Sequence, residues 1–126
     1  MNLKEYFEVT KGSGVLATAG ADGSVDVAVY ARPHVIDEET VAFIMADRLS
    51  HKNLQSNPHA AYLFREGSTG YSGKRLHLTK VNEESDVEKI QALRRRKVPI
   101  ACEPGEREVR HLVTFHVDRV RPLVGD

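Results

Sequence analysis

The apolar runs of this 126-residue chain are joined by connections too short for most of them to pair in parallel, because a parallel crossover takes a dozen or more residues. Residues 15–19 and 25–32 read as two strands around Ala21-Asp22-Gly23-Ser24, whose Asp-Gly supplies the positive-φ position of a tight hairpin. Residues 41–46 are continuously apolar, as expected of a central strand covered on both faces, and residues 60–65, 76–81 and 113–118 follow as further strands. In the second strand Val25, Val27 and Val29 alternate with Asp26, Ala28 and Tyr30, which predicts that one face of this strand is buried more deeply than the other.

Three short helices fit between these strands. Leu3, Tyr6, Phe7 and Thr10 fall at i, i+3, i+4 and i+7, a docking stripe that ends before Gly12 and Gly14. Residues 50–57 form a second helix, closed by Pro58. Ser85-Asp86-Val87-Glu88 has capping-box spacing and opens a third, with Val87 and Ile90 toward the body and Arg94-Arg95-Arg96-Lys97 in its last turn. Gly67, Gly70 and Gly73 mark a flexible loop, and residues 99–106 a polar one. Six strands and three helices predict a single domain over residues 1–126, a small, mainly antiparallel β-barrel with helices plugging its ends.

Composition narrows the function. Eighteen Lys and Arg balance 18 Asp and Glu, so no overall positive field favours nucleic acid. The basic run at 94–97 matches what a helix C-terminus prefers, with Glu83, Glu84, Asp86 and Glu88 at the opposite end. No apolar run approaches the roughly 18 residues of a membrane span, and Met-Asn-Leu-Lys-Glu is not a leader pattern, so a cytoplasmic protein without membrane contact is expected. Cys102 stands alone, and Cys102, His111 and His116 lack metal-ligand spacing, so no metal site is expected. His111 and His116, five apart on one strand, fall on opposite faces.

Chemistry concentrates between Phe43 and Phe64. With Ser50 as N-cap, the amides of His51, Lys52 and Asn53 are unpaired helix donors, and the Lys52 ammonium adds a full charge beside them. Together they suit an anion such as phosphate. The same residues also make an ordinary capped helix with a solvated lysine, and spacing alone does not separate the two.

Ser50-x-Lys52-Asn53-Leu54-x-x-Asn57-Pro58, set between an apolar strand and Ala60-Ala61-Tyr62-Leu63-Phe64, resembles the hallmark of the pyridoxamine 5′-phosphate oxidase-like FMN-binding split-barrel family. Gly14-Val15-Leu16-Ala17-Thr18-Ala19 with its Asp22-Gly23 turn is similar to that family's opening hairpin. The resemblance covers residues 1 to about 65 well and the closing strand loosely. It implies a six-stranded Greek-key split barrel working as a homodimer, with noncovalent FMN at the subunit interface and a small-molecule redox substrate. It further implies that Ser50, His51 and Lys52 hold the FMN phosphate, and that Arg32 supplies the charge of an arginine often found where His51 stands. Tyr30, Ala31 and Arg32, with Ile44, Met45, Ala46 and Asp47, would lie along the isoalloxazine ring, small Ala31 and Ala46 permitting close approach. The late arginine and histidine that hold substrate phosphate in the oxidases have no clear counterpart, Arg110-His111 and Phe115-His116 being candidates by composition only, so vitamin B6 oxidation is not implied. A flavin carrier without turnover, or a split barrel holding haem or a deazaflavin, is the alternative.

A core this small is expected to be completed by a partner chain and a cofactor. The balanced charge is expected to hide a local positive patch at Arg32, His51 and Lys52.

Overall fold

A computed structural model describes residues 2–85, 87–97 and 110–126, leaving out the side chains of 87 and 94–97. Helix α1 (Leu3–Val9) is followed by β1 (Gly12–Ala19), β2 (Val25–Val29), β3 (His34–Asp37) and β4 (Thr40–Ala46). Then come α2 (Leu49–Ser56), β5 (His59–Glu66), β6 (Gly73–Glu84), α3 (Val87–Lys97) and β7 (Arg110–Pro122). The seven strands form one sheet in the order β2-β1-β5-β6-β7-β4-β3, and every pairing is antiparallel. Strands β5, β6 and β7 are sequential neighbours while β4 lies beside β7, which is a Greek key.

The sheet curls around one core. Leu16, Phe43, Met45, Tyr62, Phe64, Leu76, Leu78, Val113 and Phe115 all point into it, and α1 closes one end with Leu3, Tyr6 and Phe7. Phe7 packs edge-on against Phe64, with ring centroids 5.3 Å apart, and Phe43 meets Tyr62 at 4.9 Å. A smaller cluster of Ala42, Ile90 and Leu112 seats α3 on the outside of β4 and β7. Among the described residues no helix is long and apolar enough to cross a membrane.

The mainly β architecture with flanking helices follows the sequence pattern, and two details correct it. Among the described residues there are seven strands rather than six: β3 is only four residues long and bulged between Val35 and Asp37, so it carries no clean alternation. The valine face of β2 is outward, with Val25, Val27 and Val29 at 72%, 63% and 82% exposure. Alternation identifies two faces but not which one meets the core, and here half-buried Asp26, Ala28 and Tyr30 turn inward. Ser50 is not the cap of α2. Arg48 occupies that position without a side-chain cap bond, and the Lys52 amide is already bonded to the Arg48 carbonyl at 2.9 Å. The unpaired amides therefore move back to Leu49, Ser50 and His51. The loop expected at 99–106, Cys102 and Asp86 of the capping box lie outside the described residues, as do the side chains of the 94–97 basic run.

Candidate functional site

The barrel is split along one seam. Strand β3 pairs with β4 only as far as Ala42, so the Phe43–Ala46 stretch of β4 is paired on its β7 side alone among the described residues. Across the seam stands β2, whose outer edge is likewise unpaired at the end of the sheet. The chain leaving β2 is anchored to the barrel at Tyr30. Its amide donates to the Gly14 carbonyl at 3.0 Å, its carbonyl accepts from the Tyr62 hydroxyl at 3.1 Å, and its ring meets Phe43 edge-on at 5.9 Å.

An open cleft of about 410 Å³ occupies this seam, lined by Asp26, Ala28, Val29, Tyr30 and Ala31 on one side and by Ile44, Ala46 and Arg110 on the other, with Arg48, Leu49 and Ser50 of the α2 start closing its end. Ala46 and Arg110 are direct partners in the β4–β7 ladder. The Tyr30 phenol and the Ser50 side chain share a hydrogen bond, and burial raises the phenol's pKa above its usual value, so Tyr30 stays protonated at neutral pH. Most telling is Arg110, whose Nε is buried without any hydrogen-bond partner. An unsatisfied guanidinium nitrogen in a cleft wall is costly unless an acceptor enters.

Of the residues singled out in the sequence, Tyr30, Ala31, Ile44, Ala46 and Ser50 are brought together on this cleft. Met45 points the other way, into the core. The Arg32 guanidinium donates to the carbonyls of Phe7 and Thr10 at 2.8 and 3.0 Å, where it caps the C-terminal end of α1. Lys52 is exposed on α2 and does not line the cleft. Asp26, Ala28, Val29, Arg48 and Leu49 are additions that sequence reading missed, and Arg110, named there by composition alone as a candidate for holding substrate phosphate, joins them. Arg48 lies just before the motif, within the Phe43 to Phe64 stretch. Arg110 had no local signal, since only the β4–β7 register brings it to Ala46.

His51 and Asp47 belong to a second group on the opposite side of the β4–α2 junction. His51 is buried, its Nε2 lies 2.7 Å from Glu83 Oε2, and its ring stacks on His111 at 3.8 Å with an interplanar angle of 2°. Gln55 donates to Glu83 Oε1 at 2.9 Å, and the Lys80 ammonium reaches the same oxygen at 2.8 Å. Burial of Glu83 opposes its ionisation, but these hydrogen bonds outweigh it and hold the carboxyl at about 2. Residue parity explains the division: Ala46 and Arg110 face the cleft, while the next residues, Asp47 and His111, face the histidine cluster.

The curled sheet, its seam and the cleft at the start of α2 define the split-barrel fold of pyridoxamine 5′-phosphate oxidase-like proteins. The chain superimposes on an FMN-binding protein from Syntrophomonas wolfei subsp. wolfei with TM-score 0.76 and 14% identity, over 99% of this chain and 86% of that one. It matches an F420 reductase with TM-score 0.72 and 17% identity, over 93% and 94% of the two chains. A candidate pyridoxamine 5′-phosphate oxidase from Lactobacillus delbrueckii gives TM-score 0.66 and 15% identity, over 94% and 89%. No protein-family model matches the sequence, and no curated protein matches it significantly.

Proposed function

We propose that the protein is a homodimeric flavoprotein that binds FMN noncovalently in the seam cleft and serves as an oxidoreductase for a small substrate. The observation that carries this reading is the buried, unpartnered Arg110 Nε in a cleft bounded by two strand edges. A flavin needs a flat slot, backbone groups along its pyrimidine edge and cationic donors for its anionic parts. Ile44, Ala46, Ala28 and Tyr30 supply the slot, and Arg110, Arg48 and Ser50 supply donors. Small Ala28, Ala31 and Ala46 leave room for close approach of a ring to the strands. When bound, the cofactor supplies electron or hydride transfer through its ring system. The protein's own part is to position that ring, to neutralise its negative charge through Arg110, and to donate a hydrogen bond from Tyr30, which burial keeps protonated.

The dimer rests on a separate feature. Val25, Val27 and Val29 stand beside Ala19, Ala17 and Val15 of β1, which in turn stand beside Ala61 and Leu63 of β5. This makes an apolar outer face across three strands, with Leu63 itself 41% exposed. Faces of this kind mark association surfaces. Val29 also lines the cleft, so a second chain seated here would wall in the open side of the cofactor site.

The purified protein should be yellow, or take up added FMN with quenching of flavin fluorescence, and lose its visible absorbance on reduction. A colourless protein that ignores added FMN overturns the proposal. The similarity to an F420 reductase favours a deazaflavin as the second reading. Mass spectrometry of the released ligand separates FMN, FAD and F420, and steady-state oxidation of reduced nicotinamide separates an enzyme from a carrier.

A further inference from the structure

The histidine cluster behind the cleft is not used by the cofactor reading, and its donor arrangement points to a ligand of its own. His51 Nε2 is engaged by Glu83 Oε2 at 2.7 Å, leaving Nδ1 facing Asp47 Oδ1 at 3.2 Å. His111 Nδ1 lies 2.9 Å from Ser85 Oγ, while its Nε2, buried without a hydrogen-bond partner, is 3.6 Å from the same Asp47 oxygen. Each ring thus has one nitrogen held by a neighbouring group and the other aimed at one shared carboxylate oxygen. Metal-binding histidines are oriented in this way, their second nitrogen hydrogen-bonded to fix the tautomer.

We propose that Asp47, His51 and His111 bind a divalent first-row transition-metal ion, with Glu83 and Ser85 holding the two rings in the ligating tautomers. Two imidazoles and one carboxylate suit Zn²⁺ or Co²⁺, whereas Mg²⁺ and Ca²⁺ prefer all-oxygen sets. The three donor atoms already lie within 4.8 Å of one another, against about 3.3 Å between ligands of a tetrahedral ion with bonds near 2 Å. Closing that gap needs a swing of Asp47, whose side chain is 60% exposed, and a splay of the rings from their parallel stack. Water completes the coordination. The ion ties the start of α2 to β7 directly behind Arg110 and Ser50, so it stiffens the cleft wall.

The test is calorimetric titration of the EDTA-treated full chain with Zn²⁺, followed by ¹⁵N-detected histidine spectra of the loaded protein. The expected result is one Zn²⁺ per chain at micromolar affinity or tighter, with metal-induced shifts at His51 Nδ1 and His111 Nε2. Asp47→Asn and His111→Gln should each weaken binding at least tenfold. Asp47→Asn alters an exposed side chain, so it remains readable if His111→Gln fails to fold. No stoichiometric uptake, uptake that Asp47→Asn leaves unchanged, or a His51 ring protonated on both nitrogens in the presence of Zn²⁺ overturns the proposal.

Discussion

Arg110 carries the strongest single expectation at the scale of one residue. Its Nε is buried and unpaired in the cleft, and a hydrogen bond to a charged group contributes about 1.5–3 kcal/mol. Arg110→Ala should therefore weaken FMN binding about ten- to a hundredfold, read by fluorescence titration; unchanged affinity would move the anion contact elsewhere. Glu83 gives a pH expectation with a definite sign. Its folded pKa of about 2 lies below the ordinary 4.5, so its contribution is complete above 4.5 and is lost as acidification proceeds toward 2. Urea midpoints of the parent should fall more steeply across that window than those of Glu83→Gln. Legibility at this scale was uneven. The motif drew attention to both Ser50 and His51, yet one faces the cleft and the other the histidine cluster, because successive residues of a helix point about 100° apart.

Elements were easier to find than to orient. Helix α1 and the continuous run of β4 were legible because their periodicity is strong and they are buried as the pattern implies, Val41, Ala42, Phe43 and Met45 fully so. Strand β2 was legible in position and in having two unlike faces but not in which face turns inward, since an edge strand offers alternation without a second cue to direction. Gly14 shows another blind spot. Its role is not to end a helix but to let β1 pass beneath Tyr62: a Cβ there collides with the Tyr62 hydroxyl and with the Tyr30 carbonyl. Overpacking of this kind costs about 1–3 kcal/mol. Gly14→Ala should lower stability by that amount in urea unfolding, and it should also disturb the anchored Tyr30 segment, detectable as weaker flavin uptake. Stability equal to that of the parent would show that Tyr62 relaxes freely.

Association and ligand binding belong to the whole molecule. If the outer face of β1, β2 and β5 joins two copies, Val27→Asp places two charges in an apolar contact and should yield a monomer by light scattering. Because Val29 is shared between that face and the cleft, the monomer should also bind FMN less tightly. A Val27→Asp protein that stays dimeric would exclude this face. The barrel itself was foreseeable from short connections, but the seam was not, since it depends on where β3 stops pairing with β4.

The same topology has a kinetic side. β4 is the most continuously apolar strand, yet its full-length neighbour is β7, which follows it only after α2, β5, β6 and α3. During synthesis Val41–Ala46 must wait for a partner made much later, and non-local pairing of this sort slows folding. Until β7 arrives, that run is a sticky, unpaired strand in a nascent polypeptide, an invitation to aggregation. Mutations that slow the docking of β7 should therefore appear first as poor recovery of soluble protein, before any loss of activity in the molecules that do fold.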